Sequence, residues 1–505
     1  VPSSGLAPWD WAVVAAYLAA ILAMAAAIAW RQRTGADYFL AGRAMRGAPL
    51  GASILANQAS AVSLIGAPAF VALREGGGLR WLQYELALPL AMLLLIAFLL
   101  PALRSVPGFS IYAYAERRFG RGTRQAVAGA FVLSRGLALG VVLYASSLVI
   151  AAVTGWSTPV ALLAIGLVSV AYTSVGGIVA DIWSDVLQLG LLWLGTLAAA
   201  LWLVRRPGLL EAIPAERTQA LVLGTGLGGE TFTLAPMLLG GLFLYLSYYG
   251  CDQSQAQRLL AARDDGAARR ALVLNGLVRF PLVLTYCGFG LLLAGLLRID
   301  PAFAARVTAG PPDGLVPAFV VSQLPVGLRG LLVAGILAAA MSSIDSALNS
   351  LAAVTLEDVL GRASAATSVW LGRATSLGWG GFAILAGLVC ARSGAGVLEA
   401  INLVGSIFYG PLLGVFSLGL LAPGVRGYHA VAGMAAGVGA NLALALAAPQ
   451  VSWLWWNPAG WLVSVTLGLL LARARPRLPR PAASRREVLL LAGGFVLMLA
   501  LLALL

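Results

Sequence analysis

Apolar residues along this chain come in long runs, not in the strict alternation of half-buried strands or the narrow stripe of a surface helix. Fourteen stretches stand out, near 9–30, 47–72, 80–103, 125–153, 157–176, 182–204, 232–250, 271–297, 328–351, 366–390, 396–421, 427–448, 452–472 and 487–505. Runs of roughly 18 or more apolar residues are long enough to carry a helix across a bilayer core, whereas a membrane barrel shows short alternating segments. The pattern predicts an all-α membrane protein of about 14 transmembrane helices. Composition agrees, with 60% hydrophobic and 10% charged residues and a mean hydropathy of +0.90. A soluble domain needs about 25% charged residues to cover its surface.

The net charge of +13 invites a nucleic-acid reading until the basic residues are placed. All 33 are Arg. With the N-terminus outside, 21 of them, Arg258 included, fall in inner loops and 9 in outer loops. This asymmetry follows the positive-inside rule with both termini outside, so the charge orients the chain and requires no nucleic acid. Arg135, Arg279 and Arg373 lie inside apolar segments. Cys251, Cys287 and Cys390 form no paired motif, and the single His429 argues against a histidine-based metal or acid–base centre. Gly224, Gly226 and Gly229 match a dinucleotide fingerprint, but no strand precedes them, so a flexible outer loop is expected. The first apolar segment reads as a retained helix, and the missing initiator Met as a trimmed or engineered start.

Two spans look breakable. GASILANQASAVSLIGAPAF mixes Gly, Ser, Asn57, Gln58 and Pro68 into the second, and LFLYLSYYGCDQSQAQR turns polar after Gly250 in the seventh. Five segments separate them. An odd repeat inverts its successor, and broken helices at matching positions line the midplane site of many transporters. The expected organisation is an extra N-terminal helix (1–30), a first inverted repeat (47–204), a second (232–421) and trailing C-terminal helices (427–505).

Within the ninth span, MSSIDSALNS gathers Ser342, Ser343, Asp345, Ser346, Asn349 and Ser350. Helical spacing puts 339, 342, 343, 346 and 350 on one face, with 345 and 349 beside them. Hydroxyls, a carboxylate and main-chain carbonyls are hard oxygen ligands suited to Na⁺, and an ionisable residue inside the bilayer is costly enough to suggest a function. Hydrogen bonding between helices is the alternative; it explains two serines better than a cluster with an acid. Asp185, in VGGIVADIWSDVLQ, either completes a second cation site with Asp345 and Ser346, relays the cation inward, or caps the helix start. Asp181 reads as a cap.

Together MSSIDSALNSLAAVTLED, SYYGCDQSQAQR, DYFLAGRAM and GGIVADIWSDVLQ resemble the sodium/solute symporter family, in the expected order from Asp37 to Leu421. That family includes sodium/glucose, iodide, monocarboxylate, vitamin, proline and sialic acid symporters. The resemblance implies a five-plus-five inverted-repeat (LeuT-like) core and Na⁺-coupled import of a small organic solute by alternating access. It also implies a place in a bacterial inner membrane, in contact with lipid, with a monomer sufficient for transport. One or two Na⁺ ions are expected. The principal ion site would be Ala56 and Ala59, through their carbonyls, with Ala339, Ser342 and Ser343. A second would use Asp185, Ser342, Asp345 and Ser346; some members have Ser where Asp345 stands, which leaves Na⁺, a proton-linked event or no ion there.

Candidate solute contacts beside the break are Ser60, Ser63, Gln83, Glu85, Phe243, Tyr245 and Tyr248, with Ser406, Phe408 and Tyr409 closing the pocket; for the aromatics, helix packing or an interfacial belt is the alternative. Arg135 points to a carboxylate. Its guanidinium cannot lose its charge, its fork matches a carboxylate, and it resembles the arginine of sialic-acid-type symporters. An internal salt bridge to Glu85 or Glu399 would instead favour a neutral sugar or polyol. An intramembrane enzyme built on Ser342 or Ser343 with Asp345 would lack a His or Lys base, and a channel or transport-derived sensor is the remaining rival.

Overall fold

The computed structural model describes residues 6–30, 32–59, 61–228, 230–310, 312–361, 368–393, 397–448 and 450–505. Among them every regular element is helical, apart from an isolated bridge between Met45 and Ala262. In chain order the principal helices are α1 (Pro8–Ala29), α2 (Gly47–Gln58), α3 (Ala61–Leu73), α4 (Leu79–Arg104), α5 (Arg121–Thr154), α6 (Thr158–Leu203), α7 (Gly241–Cys251) and α8 (Gln253–Leu260). They continue with α9 (Asp265–Ile299), α10 (Leu328–Val354), α11 (Val369–Ser393), α12 (Val397–Leu421), α13 (Gly427–Ala447), α14 (Trp456–Ala472) and α15 (Arg485–Leu504).

Among the described residues, ten helices are long and apolar enough to cross a membrane, and the bent pair α2/α3 adds an eleventh. The difference from the fourteen expected arises at three places. The fifth and sixth apolar segments run on as one 46-residue helix, α6. At 1.5 Å per residue that is about 69 Å, more than twice a bilayer core, and Gly177 interrupts it with non-helical backbone (φ 57, ψ −161). The seventh segment yields a five-residue widened helical turn, Pro236–Gly240, that runs into the 11-residue α7 before a break. In α12 the side chains of 397–404 lie outside the described residues, and the described apolar stretch is Gly405–Leu421.

Gly177 shows why the long helix divides there. Its positive φ disfavours any residue with a Cβ, and an added Cβ would sit 2.7 Å from the carbonyl oxygen and 2.8 Å from the ring of Tyr38. Tyr38 itself donates to the Ser174 carbonyl at 3.1 Å, so the ring is not free to yield. Gly177→Ala should therefore cost about 1–3 kcal/mol through overpacking alone. A lower Tm of the purified protein checks this; an unchanged Tm would mean that the break does not depend on that close approach.

The centre of the molecule is α10. Every residue from Leu332 to Val354 is buried, enclosed by α6, α5, α1 and α11. Helices at the periphery, such as α15 and α11, leave apolar side chains exposed (Leu489, Val496, Leu385, Val389), as lipid-facing surfaces do. Placing a serine-rich helix in the innermost position means that each of its polar groups needs a partner from protein or cargo.

Candidate ion and solute site

The α2/α3 pair bends by 52°. Ala59 leaves the helical region (φ −84, ψ 63) after its N–H closes on the Leu55 carbonyl. Ending a helix inside a membrane turns its last carbonyls away from their usual partners. Ala56, Ala59, Ala339 and Ser342 line one small space with Gln188, Leu189 and Leu192 of α6. Four of the five principal ion ligands expected from sequence thus converge. The fifth, Ser343, lies about 100° further round α10; it is buried, and its hydroxyl has no hydrogen-bond partner. Gln188 is new to the set. Its Nε2 donates to the Tyr17 hydroxyl at 3.1 Å, while its Oε1 is buried without a partner.

Below this space the second set of expected ion ligands is rearranged around a residue that the charge count assigned to an inner loop. Arg258 is fully buried in α8. Its Nη2 reaches Asp185 at 2.8 Å, Asp181 at 3.0 Å and the Ser346 hydroxyl at 2.5 Å. Its Nε donates to Ser53 at 2.6 Å and its Nη1 to the Ser254 carbonyl at 2.6 Å. Asp185 also accepts from Ser53 at 2.5 Å and from the Ser342 hydroxyl. Asp181 is therefore an ion-pair partner, not merely a cap. Asp345 is not in this group. One position before Ser346, it faces elsewhere and accepts from Thr173 at 2.6 Å, leaving its Oδ2 buried without a partner. The structure brings Asp185, Ser342 and Ser346 together around a guanidinium and holds Asp345 apart.

Helix α8 explains how an arginine reaches that depth. QSQAQRLL is polar, yet all eight residues are buried. Asp252 caps it by accepting from the Ser254 N–H at 2.8 Å. Gln253 bridges the Ile111 N–H (2.9 Å) and the Phe109 carbonyl (2.7 Å), and Gln257 donates to the Phe39 carbonyl at 2.7 Å. Gln253 and Gln257 are thus satisfied by backbone groups of neighbouring segments, whereas both amide atoms of Gln255 are buried without a partner.

The expected solute contacts separate into several groups. Ser60 lies outside the described residues. Ser63 donates to the Gln58 carbonyl at 3.4 Å. Gln83 is fully buried and structural, accepting from Val222 N–H at 3.0 Å and donating to the Arg80 carbonyl at 3.2 Å. Glu85 pairs with Arg279 at 2.8 Å and accepts from Tyr245 at 3.1 Å, while Arg279 also donates to the Gln58 side chain at 2.5 Å. Phe243 packs on Trp461, with ring centroids 4.9 Å apart, so it is a packing residue. Phe408 is half-buried among apolar neighbours, and the Ser406 hydroxyl is buried without a partner. Tyr248 stacks edge-on against Tyr409 (5.8 Å) and lies under the Arg135 guanidinium at 5.9 Å.

Arg135 does not pair with Glu85, which Arg279 occupies, and the side chain of Glu399 lies outside the described residues. Among the described residues its one carboxylate contact is Asp252, with Nη1 to Oδ2 at 3.9 Å. That contact is electrostatic, beyond hydrogen-bond length, and the buried Nε has no partner. Sequence reasoning missed Arg258, Arg279, Gln58 and Asp252 as interacting groups, although three of them stand in motifs already singled out. Loop-like polarity concealed the burial of Arg258 and Asp252.

The family model described as "Sodium:solute symporter family" matches residues 38–437. The human sodium/iodide cotransporter is 30% identical over 427 residues, 82% of this chain and 65% of that protein. Human sodium-coupled monocarboxylate transporter 1 is 30% identical over 454 residues, 86% of this chain and 72% of that protein. The chain thus spans 65% and 72% of these relatives' lengths. A substrate-bound, outward-open structure of a Na⁺-coupled sialic acid symporter has the same fold, with a TM-score of 0.81 at 24% identity over 93% of this chain and 99% of that one. The matched stretch includes both helix breaks and all of α10. This chain belongs to the sodium:solute symporter family: it is a multi-pass membrane transporter of a small solute, with Na⁺ as its coupling ion, and not an enzyme.

Proposed function

We propose that the protein imports a carboxylate-bearing organic solute, of which sialic acid is one example, together with one Na⁺ by alternating access. Na⁺ is held by the Ala56 and Ala59 carbonyls, Ala339, Ser342 and Ser343, where buried oxygens converge on a helix break. A second ion among Asp185, Ser342, Asp345 and Ser346 is disfavoured because the Arg258 guanidinium already bonds Asp185 and Ser346, and Asp185 also takes the Ser342 hydroxyl. One Na⁺ moving inward supplies about 2.3 kcal/mol per 100 mV, before its concentration gradient is added.

The solute class rests on one observation: Arg135 keeps 13% of its side-chain exposure, lies over Tyr248, and among the described residues has no carboxylate within hydrogen-bond reach. A fork of unspent donors favours a planar anion. The test is Arg135→Ala. Removing one partner of a buried charged contact costs about 2–5 kcal/mol, so calorimetric titration with sialic acid or lactate should show loss of measurable binding, while Na⁺ still raises Tm. Equal carboxylate binding by parent and variant would reject the assignment. A neutral sugar or polyol is the second reading, favoured by Gln58, Glu85 and Arg279, a charge-balanced group beside the break that offers hydroxyl partners.

The same reading arranges the chain as fourteen spans. It adds α1, two five-span repeats over 47–204 and 232–421 that each begin with a broken helix, and three helices over 427–505. Both termini face outward from a bacterial inner membrane, and one chain suffices for transport.

A further inference from the structure

Arg135 and Asp252 form an unfinished pair at a hinge. Asp252 is the residue at which α7 stops and α8 begins, with extended backbone (φ −89, ψ 121) between the two helices. Its Oδ1 is spent on the cap of α8, accepting from the Ser254 N–H and hydroxyl at 2.8 and 2.5 Å. Among the described residues its Oδ2 has only the Tyr409 hydroxyl at 3.4 Å and the Arg135 guanidinium at 3.9 Å. The carboxylate is 2% exposed, so its charge relies on Arg135 for compensation. Arg135 in turn has donors to spare and remains reachable.

We propose that Asp252 is the internal rival of the solute carboxylate for Arg135, so that solute binding is felt at the α7/α8 hinge. The inference rests on the carboxylate reading above. A solute carboxylate docking bidentately on Arg135 takes the stronger hydrogen bonds and leaves Asp252 buried with its counter-charge shared. The cheapest response is movement of Asp252, and Asp252 is the hinge. Release reverses this: Asp252 draws Arg135 back and the solute loses its anchor. Asp252 is thus a positioning residue that acts through Arg135.

Asp252→Asn separates this role from capping, because Asn caps a helix as well as Asp does but cannot compensate Arg135. In saturating Na⁺, the variant should bind sialic acid about tenfold more tightly than the parent, within the usual range of coupling between sites. It should also turn over more slowly in proteoliposomes, giving a lower KM together with a lower kcat. Binding of the methyl ester, which lacks the charge, should not tighten. Merely structural damage would weaken or leave unchanged the binding of both. A ligand-free check uses Arg135→Gln, Asp252→Asn and the double variant: the double variant should be more stable than the summed single effects predict, and strict additivity of Tm shifts would overturn the pairing. Sialic acid binding that Asp252→Asn leaves unchanged or weakens overturns the rival role alone. Failure of both sialic acid and lactate to bind the parent overturns the rival role and the carboxylate reading together.

Discussion

Replacing Arg258 with Leu should prevent the protein from accumulating in a folded form. The guanidinium is 1% exposed and satisfies Asp181, Asp185, Ser346, Ser53 and the Ser254 carbonyl at once. Leu supplies comparable apolar bulk, so the loss is electrostatic: two carboxylates, both at 0% side-chain exposure, would face each other without a cation. Breaking one buried pair costs about 3–5 kcal/mol, against a total stability of about 5–15 kcal/mol for a typical folded protein. The measurement is the monodisperse fraction after detergent extraction, followed by Tm. Adding Asp181→Asn and Asp185→Asn to Arg258→Leu should restore part of the yield, because neutral amides need no counter-charge. An Arg258→Leu protein with parental yield and Tm would show that the four-helix junction is not held by this group.

Ser343→Ala should have the opposite profile, with intact folding and an impaired ion response. The Ser343 hydroxyl has no hydrogen bond to lose, and Ala fits a site in which the side chain is already buried. Tm without Na⁺ should therefore stay near the parental value. If the hydroxyl is an Na⁺ ligand, its removal should raise the Na⁺ concentration for half-maximal uptake by tenfold or more, about 1.4 kcal/mol or above. Ser342→Ala is less clean, since that hydroxyl also donates to Asp185 and lines the space shared with Ala56, Ala59 and Ala339. The pair of variants distinguishes ion binding from helix packing. Unchanged Na⁺ dependence in Ser343→Ala would remove that residue from the site.

Much of the architecture was legible from sequence because the bilayer imposes a length and a polarity on every span. The break after Gln58, the broken seventh span and the serine cluster in α10 each violate that rule locally, and each sits where the structure concentrates polar contacts. What stayed hidden has a common cause. QSQAQR is as polar as a loop, and only tertiary partners (Phe39, Phe109 and Ile111 backbone groups) show it to be an interior helix. Arg258 was therefore counted toward orientation when it belongs to the junction. Helical spacing sets Asp345 beside the polar face and the family resemblance groups it with Asp185, but adjacent helical residues point about 100° apart, and Thr173 donates to it. The division of α6 at Gly177 was legible as a gap between apolar runs, although its physical reason, the Tyr38 ring, was not.

Coupled binding of a carboxylate solute and Na⁺ lies at the heart of transport by this chain as proposed. It is tested most directly by thermal-shift measurements on the purified protein with sugars, amino acids and carboxylates, each in NaCl and in choline chloride. A carboxylate should raise Tm in NaCl and lose most of that effect in choline, while neutral sugars of similar size should do little in either. A neutral sugar that stabilises the protein where every carboxylate fails, or a carboxylate that acts equally without Na⁺, would contradict it.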